Sequence, residues 1–218
     1  MRNLALILEL LLGSGDVPAR SKASSQGIEE AARSMRYAFL ENAAGQWGAS
    51  AIALGHNRDD QVETILHHMI RGSGWRGLAG MPVRRGIFIR PLLACGRDEL
   101  RSYLRAMRVR YAVDPSNRDN AFLRNRIRNR LVPMLRKRFN PSIDDSIIRI
   151  GENILEGWQA LSGSAVAGVT AAVDGPGVSI PLERIEKLTD FHLYLLIDGV
   201  LRDHFGIFQD IGRKHYDA

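Results

Sequence analysis

A short apolar run that ends in glycine, residues 50–55, narrows the choice of fold more than any other segment. Its letters are SAIALG, and an apolar run of this length bounded by glycine is typical of a strand buried on both faces in a parallel sheet. A polar loop and a predicted helix, residues 60–71, follow it directly. Because ligands of open α/β sheets bind at the carboxyl ends of the strands, we expect the functional site in this loop.

Helices and strands are predicted to alternate around this run. The apolar spacing predicts helices at residues 28–46, 98–107, 122–139 and 144–173, a second strand at 86–89, and a short strand with two helices within 178–205. Pro133 is expected to kink or restart the helix that contains it. The chain therefore predicts a layered α/β domain up to about residue 110 and mostly helical structure after it.

Basic residues are concentrated in one segment. Residues 84–138 contain 16 Lys and Arg against 4 Asp and Glu, although the whole chain of 218 residues has a formal net charge of only +6. Of the 30 basic residues 26 are arginine, whose planar fork suits phosphate better than the point charge of lysine does. The segment indicates either a partner with phosphates, such as RNA or a nucleotide, or a solvated face in an arginine-rich protein.

The cysteine count and the lack of a long apolar segment argue against a disulfide-bonded or membrane-spanning protein. The single cysteine, Cys95, excludes an internal disulfide and indicates a reducing, cytoplasmic compartment. The apolar residues 4–12 are too few to span a bilayer, so no membrane partner is expected.

The loop after the first predicted strand has the side chains of a reactive site. His56, Asp59, Asp60 and Glu63 all lie within eight residues. Carboxylates in such a loop can bind a metal ion, hold an ammonium group or act as a base, and an imidazole can stabilise charge or carry a proton. The alternative is structural, because Asp60 and Glu63 have the spacing of a helix capping box with Asp60 as N-cap.

Six segments in order resemble one family. Gly55–Thr64, with the pattern GH-x-x-DDQ-x-ET, resembles the second signature of the tRNA(Ile)-lysidine synthetases, which belong to the PP-loop superfamily of ATP pyrophosphatases. The other segments that resemble this family are IEEAARSMRY at 28–37, RGSGWRGLAGM at 71–81, RPLL at 90–93, DPSN at 114–117 and RNRIR at 124–128 with Leu131 and Pro133. The resemblance covers residues 16–140 well and continues weakly to the end.

The resemblance implies a fold and a reaction. The fold is a parallel-sheet, Rossmann-like domain of the adenine nucleotide α hydrolase type. Such enzymes use ATP to adenylate carbon 2 of the wobble cytidine of a tRNA(Ile) with a CAU anticodon, and free lysine then displaces AMP. ATP and Mg²⁺ are the implied cofactors, tRNA(Ile) and lysine the partners, and the cytoplasm the location. A homodimer is one candidate assembly.

The resemblance also implies roles for individual residues, which are expectations here. The catalytic residues are His56, Asp60, Arg36 and Arg128; lysine is held by Asp60 and Glu63; the nucleotide is held by Arg36, Arg71 and Arg128; RNA is contacted by Arg124, Arg126 and Arg130; and Asp59 is a metal ligand.

One family segment is not found. The SGG-x-DS loop should precede GH-x-x-DD, and the similar LGSGD at 12–16 has the wrong residue order and is followed by Pro18. We therefore expect a PP-loop catalytic domain at 1–138 without its first part, a linker helix at 139–175, and the start of a tRNA-binding domain at 176–218. The alternative function is that of a truncated, non-catalytic RNA-binding remnant.

Overall fold

A computed structural model describes residues 10–24, 27–112, 114, 117, 119–166, 172–174, 177–186 and 188–203 of the chain. The chain divides into two compact units, one formed by residues 1–55 and 83–91, the other by residues 56–82 and 92–218. The domain boundaries expected after residues 138 and 175 stay a prediction. Within the described part of the chain, no helix combines the length and the apolar content needed to cross a bilayer.

The first unit combines two helices with a small sheet. Its elements are α1 (Val17–Ser24), α2 (Ile28–Gln46), β1 (Ile52–Ala53), β2 (Arg84–Arg85) and β3 (Phe88–Ile89). The bounds of α2 confirm the helix predicted there. Tyr37 on α2 packs its ring 4.7 Å from the ring of Phe88 on β3, so an aromatic contact joins the longest helix of this unit to its sheet.

The sheet is mixed, which corrects the expectation of a parallel sheet. β1 pairs in parallel with β3, but β2 pairs with β3 antiparallel. Only residues 86 and 87 separate β2 from β3, and Gly86 has a φ of 59°, which suits a tight hairpin. The expectation that the first strand is buried on both faces is also wrong, because Ala51 and Ala53 are exposed whereas Ile52 and Leu54 are half-buried.

The second unit is mostly helical, and its described residues after 110 confirm the helical content predicted for that part of the chain. Its elements are α3 (Arg58–Ile70), α4 (Trp75–Leu78), α5 (Arg97–Ala106), α6 (Leu123–Arg126), a π-helical segment (Ile127–Leu131), α7 (Val132–Arg138), α8 (Ile143–Val166), β4 (Ala172–Asp174), β5 (Gly177–Ser179), α9 (Leu182–Ile185) and α10 (Asp190–Asp203). The irregularity expected at Pro133 lies just before it, in the π-helical segment, and Pro133 itself stands in the first turn of α7, where its missing N–H is tolerated. The long helix predicted to reach Val173 ends at Val166, and Val173 belongs to β4.

Helix α3 is anchored by the main core of this unit. The buried members of that core come from α3, the π-helical segment, α7 and α8, and they are Val62, Ile65, Leu66, Ile127, Val132 and Ile147. Burying each such side chain contributes about 1.5–3 kcal/mol. Gly151 of α8 allows the close approach, because a Cβ there would lie 2.9 Å from Cδ1 of Ile65. The residues at the start of α3 are therefore held on a rigid helix.

Candidate active site

The start of α3 is defined by a capping box that lies three residues earlier than predicted. Asn57 is the N-cap, and its Oδ1 accepts a hydrogen bond from the N–H of Asp60 at 3.0 Å. The Asp60 side chain accepts in turn from the N–H of Asn57 at 3.1 Å. The prediction of Asp60 as N-cap with Glu63 as its partner is therefore wrong. The shift leaves the Glu63 carboxylate without a capping role and directs it into the protein.

Glu63 is a buried carboxylate held by three arginines. It is 2% exposed. Its Oε1 accepts from Nε of Arg128 at 2.7 Å and from Nη2 of Arg97 at 2.9 Å. Its Oε2 accepts from Nη2 of Arg128 at 2.8 Å and from Nε of Arg124 at 3.5 Å. A buried charge is tolerated only when it is paired and hydrogen-bonded in this way.

Asp60 shares the same arginines. While its Oδ2 caps the helix, its Oδ1 accepts from Nη2 of Arg128 at 2.9 Å. The same oxygen lies 3.5 Å from Nη2 of Arg97 and 3.8 Å from Nη2 of Arg124. The two carboxylates expected to hold lysine therefore lie together, and guanidinium groups occupy the place of an ammonium ion.

Asp59 is held by two further groups. Its Oδ2 accepts from the backbone N–H of Arg97 at 2.7 Å, and its Oδ1 from Nη2 of Arg136 at 3.0 Å. Burial acts to raise the pKa of Asp59, but the hydrogen bonds and charges of Arg97 and Arg136 outweigh it, so the pKa lies below its usual value. The hydrogen bonds with Asp144, together with those of Asp59, raise the pKa of Arg136 despite its partial burial.

A metal ion at Asp59 does not fit this arrangement. Both oxygens of Asp59 already accept hydrogen bonds, and Asp60 and Glu63 are neutralised by arginines. Among the residues that the structure describes, no group of three His, Cys, Asp or Glu side chains is placed to hold a metal ion. The Asp59 carboxylate is therefore engaged as a hydrogen-bond acceptor and is not arranged as a ligand for Mg²⁺.

Arg128 is the centre of an ionic cluster, called the cluster below. Its carboxylates and arginines are Asp59, Asp60, Glu63, Arg97, Arg124, Arg128 and Arg136. Beyond Glu63 and Asp60, its Nη1 donates to Oδ1 of Asn117 at 2.7 Å. Asn117 is itself fixed, because its N–H and its side-chain amide both donate to the carbonyl of Asp114. Burial acts to lower the pKa of Arg128. The hydrogen bond to Glu63 and the charges of the nearby carboxylates outweigh that effect, so the pKa lies above its usual value. Asn117 was not predicted as a site residue, although the DPSN segment that contains it was recognised.

Two arginines of the cluster were missed by sequence reasoning. Arg97 lies in the first turn of α5, and Arg136 lies on α7. The N-termini of α3 and α5 are tied together, since the N–H of Arg58 donates to the carbonyl of Cys95 at 2.9 Å. No local sequence signal distinguishes Arg97 or Arg136 from the other arginines of the basic segment, since the α3 carboxylates that they bind, Glu63 and Asp59, lie 34 and 77 residues away.

The contacts described above for the ionic cluster do not include the other expected site residues. His56 is half-buried in the loop before α3, and Arg71 is exposed just after α3. Arg36 is exposed on α2 of the first unit. Arg126 and Arg130 lie in a groove whose lining contains neither Arg124 nor Arg128. The expected RNA-binding set therefore divides between two places on one helix.

Comparisons with known proteins agree with the resemblance. The family described as PP-loop domain matches residues 2–135. A tRNA(Ile)-lysidine synthase of Thermotoga maritima is 44% identical over 135 residues, 62% of this chain and 32% of the relative. That of Geobacillus kaustophilus is 35% identical over 199 residues, 85% of this chain and 43% of the relative. That of Salinispora arenicola is 40% identical over 153 residues, 68% and 45% respectively. The chain thus spans less than half the length of these relatives.

Proposed function

The chain belongs to the PP-loop domain family, and we propose that it acts as a tRNA(Ile)-lysidine synthetase. In the proposed first step, the oxygen on carbon 2 of the wobble cytidine attacks the α-phosphate of ATP, and pyrophosphate leaves. In the second step, an amino group of free lysine bonds to carbon 2, and AMP leaves with that oxygen. The amine loses its protons to the surrounding solvent or a neighbouring base.

The convergence of Asp60 and Glu63 carries this proposal. Free lysine brings ammonium groups, and a site for it needs carboxylates held in a fixed place. Asp60 and Glu63 meet this need, since α3 positions them and Arg128 contacts both. The arginines around them pair with both carboxylates.

Arg124 is the arginine that lysine replaces in this proposal. Its side chain is 41% exposed, and it contacts Glu63 at 3.5 Å and Asp60 at 3.8 Å. Arg128, at 20% exposed, makes contacts of 2.7–2.9 Å. Because long contacts to an exposed group contribute least, an incoming ammonium group displaces Arg124 at the smallest cost. Arg97 and Arg128 stay in place and orient the carboxylates.

The nucleotide contacts are assigned to exposed cations. Arg36 and Arg71 are exposed, so each can bind a phosphate without breaking an ion pair among the contacts described above. Arg128 has four hydrogen bonds to Glu63, Asp60 and Asn117, so we assign it to electrostatic support of the lysine site. His56, in the loop before α3, is assigned to stabilising charge near the leaving phosphate.

The experiment is a direct assay of ligation. The purified chain is incubated with ATP, labelled lysine and a tRNA(Ile) transcript with a CAU anticodon, and the same transcript with a GAU anticodon is the control. We expect lysine in the CAU transcript alone, with release of AMP. Binding of the transcript without lysine incorporation or AMP release would refute the proposal and favour the alternative, an RNA-binding protein without ligase chemistry.

A pair of variants tests the exchange at Arg124. Arg124→Gln removes the guanidinium that competes with lysine, so we expect a lower KM for lysine at saturating tRNA. Arg105→Gln is the matched control, because Arg105 is exposed on α5 and hydrogen-bonds within its own helix. Equal KM values for the two variants would contradict the exchange without contradicting the ligation.

A further inference from the structure

The helix that contains the RNRIR segment presents its arginines in two directions. Arg124 and Arg128 bind the carboxylates of Asp60 and Glu63. Arg126 and Arg130 instead border a groove of about 340 Å³. Pairs four residues apart share one helix face, and the two pairs are offset by two residues, so they lie on opposite sides of the helix. The groove is therefore a separate feature of the same unit, which the proposed ligation does not use.

The groove combines an apolar floor with a cationic edge. Ile70 of α3 lines it, together with apolar residues of the continuous helix formed by α6, the π-helical segment and α7, namely Leu123, Ile127, Leu131 and Met134, and with the two arginines. Ile70 is 49% and Met134 is 42% exposed, so apolar surface faces water here. The residues that line the groove include no acidic side chain.

The charges of this groove are not neutralised in the way that those of the cluster are. Within the described ranges of the chain, neither Arg126 nor Arg130 forms a salt bridge with a carboxylate, whereas Arg97, Arg124, Arg128 and Arg136 all do. Both groove arginines are exposed. Arg130 also lies in the π-helical segment, a local geometry that is frequent at functional sites. The groove is thus complementary to a ligand that is anionic at its edge and apolar on its face.

Among macromolecular partners, single-stranded RNA has this combination at every nucleotide. Its unpaired bases present flat faces that stack on side chains, and its phosphates suit the fork of arginine. An acidic peptide offers carboxylates without a flat face beside each charge. We propose that the groove holds one unpaired nucleotide of an RNA strand, with its base over Ile70 and Met134 and its phosphates on Arg126 and Arg130. This rests on the proposed function only in the choice of tRNA as the source, and the nucleotide is one other than the modified cytidine.

A salt series on RNA binding tests the phosphate contacts. The anisotropy of a fluorescent, unstructured RNA dodecamer is measured with the wild-type chain and with Arg126→Gln/Arg130→Gln, and ATP is left out. We expect weaker binding and a salt dependence of log K that is less steep by about 1.4, since each phosphate contact on a single strand contributes about 0.7. Arg101→Gln/Arg105→Gln, which removes the same charge from exposed α5, is the control and should change the slope less. An equal change in the two double variants would overturn the proposal in favour of a diffuse basic surface.

A second pair of measurements tests the base. Ile70→Ser/Met134→Ser removes the apolar floor without changing charge, and thermal unfolding shows whether the variant is folded. We expect it to weaken RNA binding but not the binding of inorganic polyphosphate. If RNA and polyphosphate respond alike, the groove is a phosphate site only and the proposal is wrong. A concentration-dependent dimer in sedimentation that the serine variant abolishes, with RNA binding unchanged, would assign the groove to a second copy of the chain instead.

The outcome is separable from that of the ligation assay. RNA binding needs neither ATP nor lysine, so a chain without ligase activity still decides the question. If ligation is observed, the glutamine variant should raise the KM for tRNA and keep kcat. An unchanged KM for tRNA would refute RNA binding in the groove without contradicting the proposed ligation.

Discussion

Replacing Glu63 with glutamine isolates the contribution of one negative charge to this protein. The side chain keeps its size, but the three guanidinium groups of Arg97, Arg124 and Arg128 then face a neutral amide. One of the two atoms that accepted hydrogen bonds becomes an NH₂ donor and meets N–H donors of the arginines. The loss is therefore both electrostatic and geometric.

The magnitude follows from the burial of the group. Removing one partner of a buried ion pair costs about 3–5 kcal/mol, because the remaining charge is left without compensation. Glu63 is 2% exposed, but Arg124 is 41% exposed and can turn into water, and Asp60 still binds Arg128. We therefore expect the lower end, about 3 kcal/mol, out of a total free energy of unfolding of about 5–15 kcal/mol. For a chain of this size that corresponds to a fall in Tm of roughly 6–12 °C.

Thermal and urea unfolding followed by circular dichroism measure this effect. Glu152→Gln is the matched control, since Glu152 is exposed on α8 and a surface change of this kind shifts stability by about 0.5 kcal/mol or less. The double variant Glu63→Leu/Arg128→Met removes both charges of the closest pair and should recover part of the loss. A Tm for Glu63→Gln that equals that of Glu152→Gln would refute the reasoning, because it would mean that the salt bridges from the arginines to Glu63 contribute nothing to stability.

Three further predictions concern single residues. Asp60→Asn should raise the KM for lysine more than the Kd for tRNA, and unchanged lysine dependence with only a lower Tm would assign Asp60 to helix capping alone. The lowered pKa of Asp59 implies stabilisation that is present above its unfolded-state pKa and lost as the pH falls through its folded-state value, so Asp59→Asn should show a smaller loss of stability than wild type between pH 5 and pH 2, and parallel curves would contradict this. Gly80→Ala should destabilise by about 1–3 kcal/mol, because Gly80 has a φ of 76° and a Cβ there would lie 2.7 Å from Nε2 of Gln61. Gly45→Ala, in the last turn of α2 with open space around it, should instead stabilise by about 0.4–1 kcal/mol; similar Tm shifts for the two alanine variants would rule out the conformational argument.

Local patterns predicted the helices well and the sheet less well. The repeat of apolar residues along α2 depends only on neighbours within the helix, so its bounds at Ile28 and Gln46 were predictable. The strand β2 consists of two exposed arginines, a composition that predicts no strand, and it pairs only because the turn at Gly86 brings it beside β3. The pairing of β2 with β3 depends on the turn at Gly86, so the pattern of apolar residues does not predict β2.

The part of the site that depends on local spacing along the chain was also predictable. The sequence placed Asp60 and Glu63 in one loop and helix, and it indicated that Arg124 and Arg128 share a face, which the ion pairs confirm. The capping box was misplaced because Asn57 and Asp60 both have capping side chains at suitable spacing, and only the position at which the chain turns decides between them. The role of Arg136 depends on a contact with a residue 77 positions away, which no local pattern encodes.

The four hydrogen bonds of Arg128 give the arginine-rich composition a consequence for sequence drift. An ammonium group at this position has three donors at one point, so it cannot reach Glu63, Asp60 and Asn117 together as the guanidinium does. A change of the Arg128 codon to one for lysine would therefore be selected against even though it conserves charge. At Arg105, whose hydrogen bonds stay within α5, the same change keeps the charge and forfeits little. The many arginines of this chain therefore differ in how well they tolerate lysine. If substitutions to lysine accumulated, we expect them at positions such as Arg105 and not at Arg128.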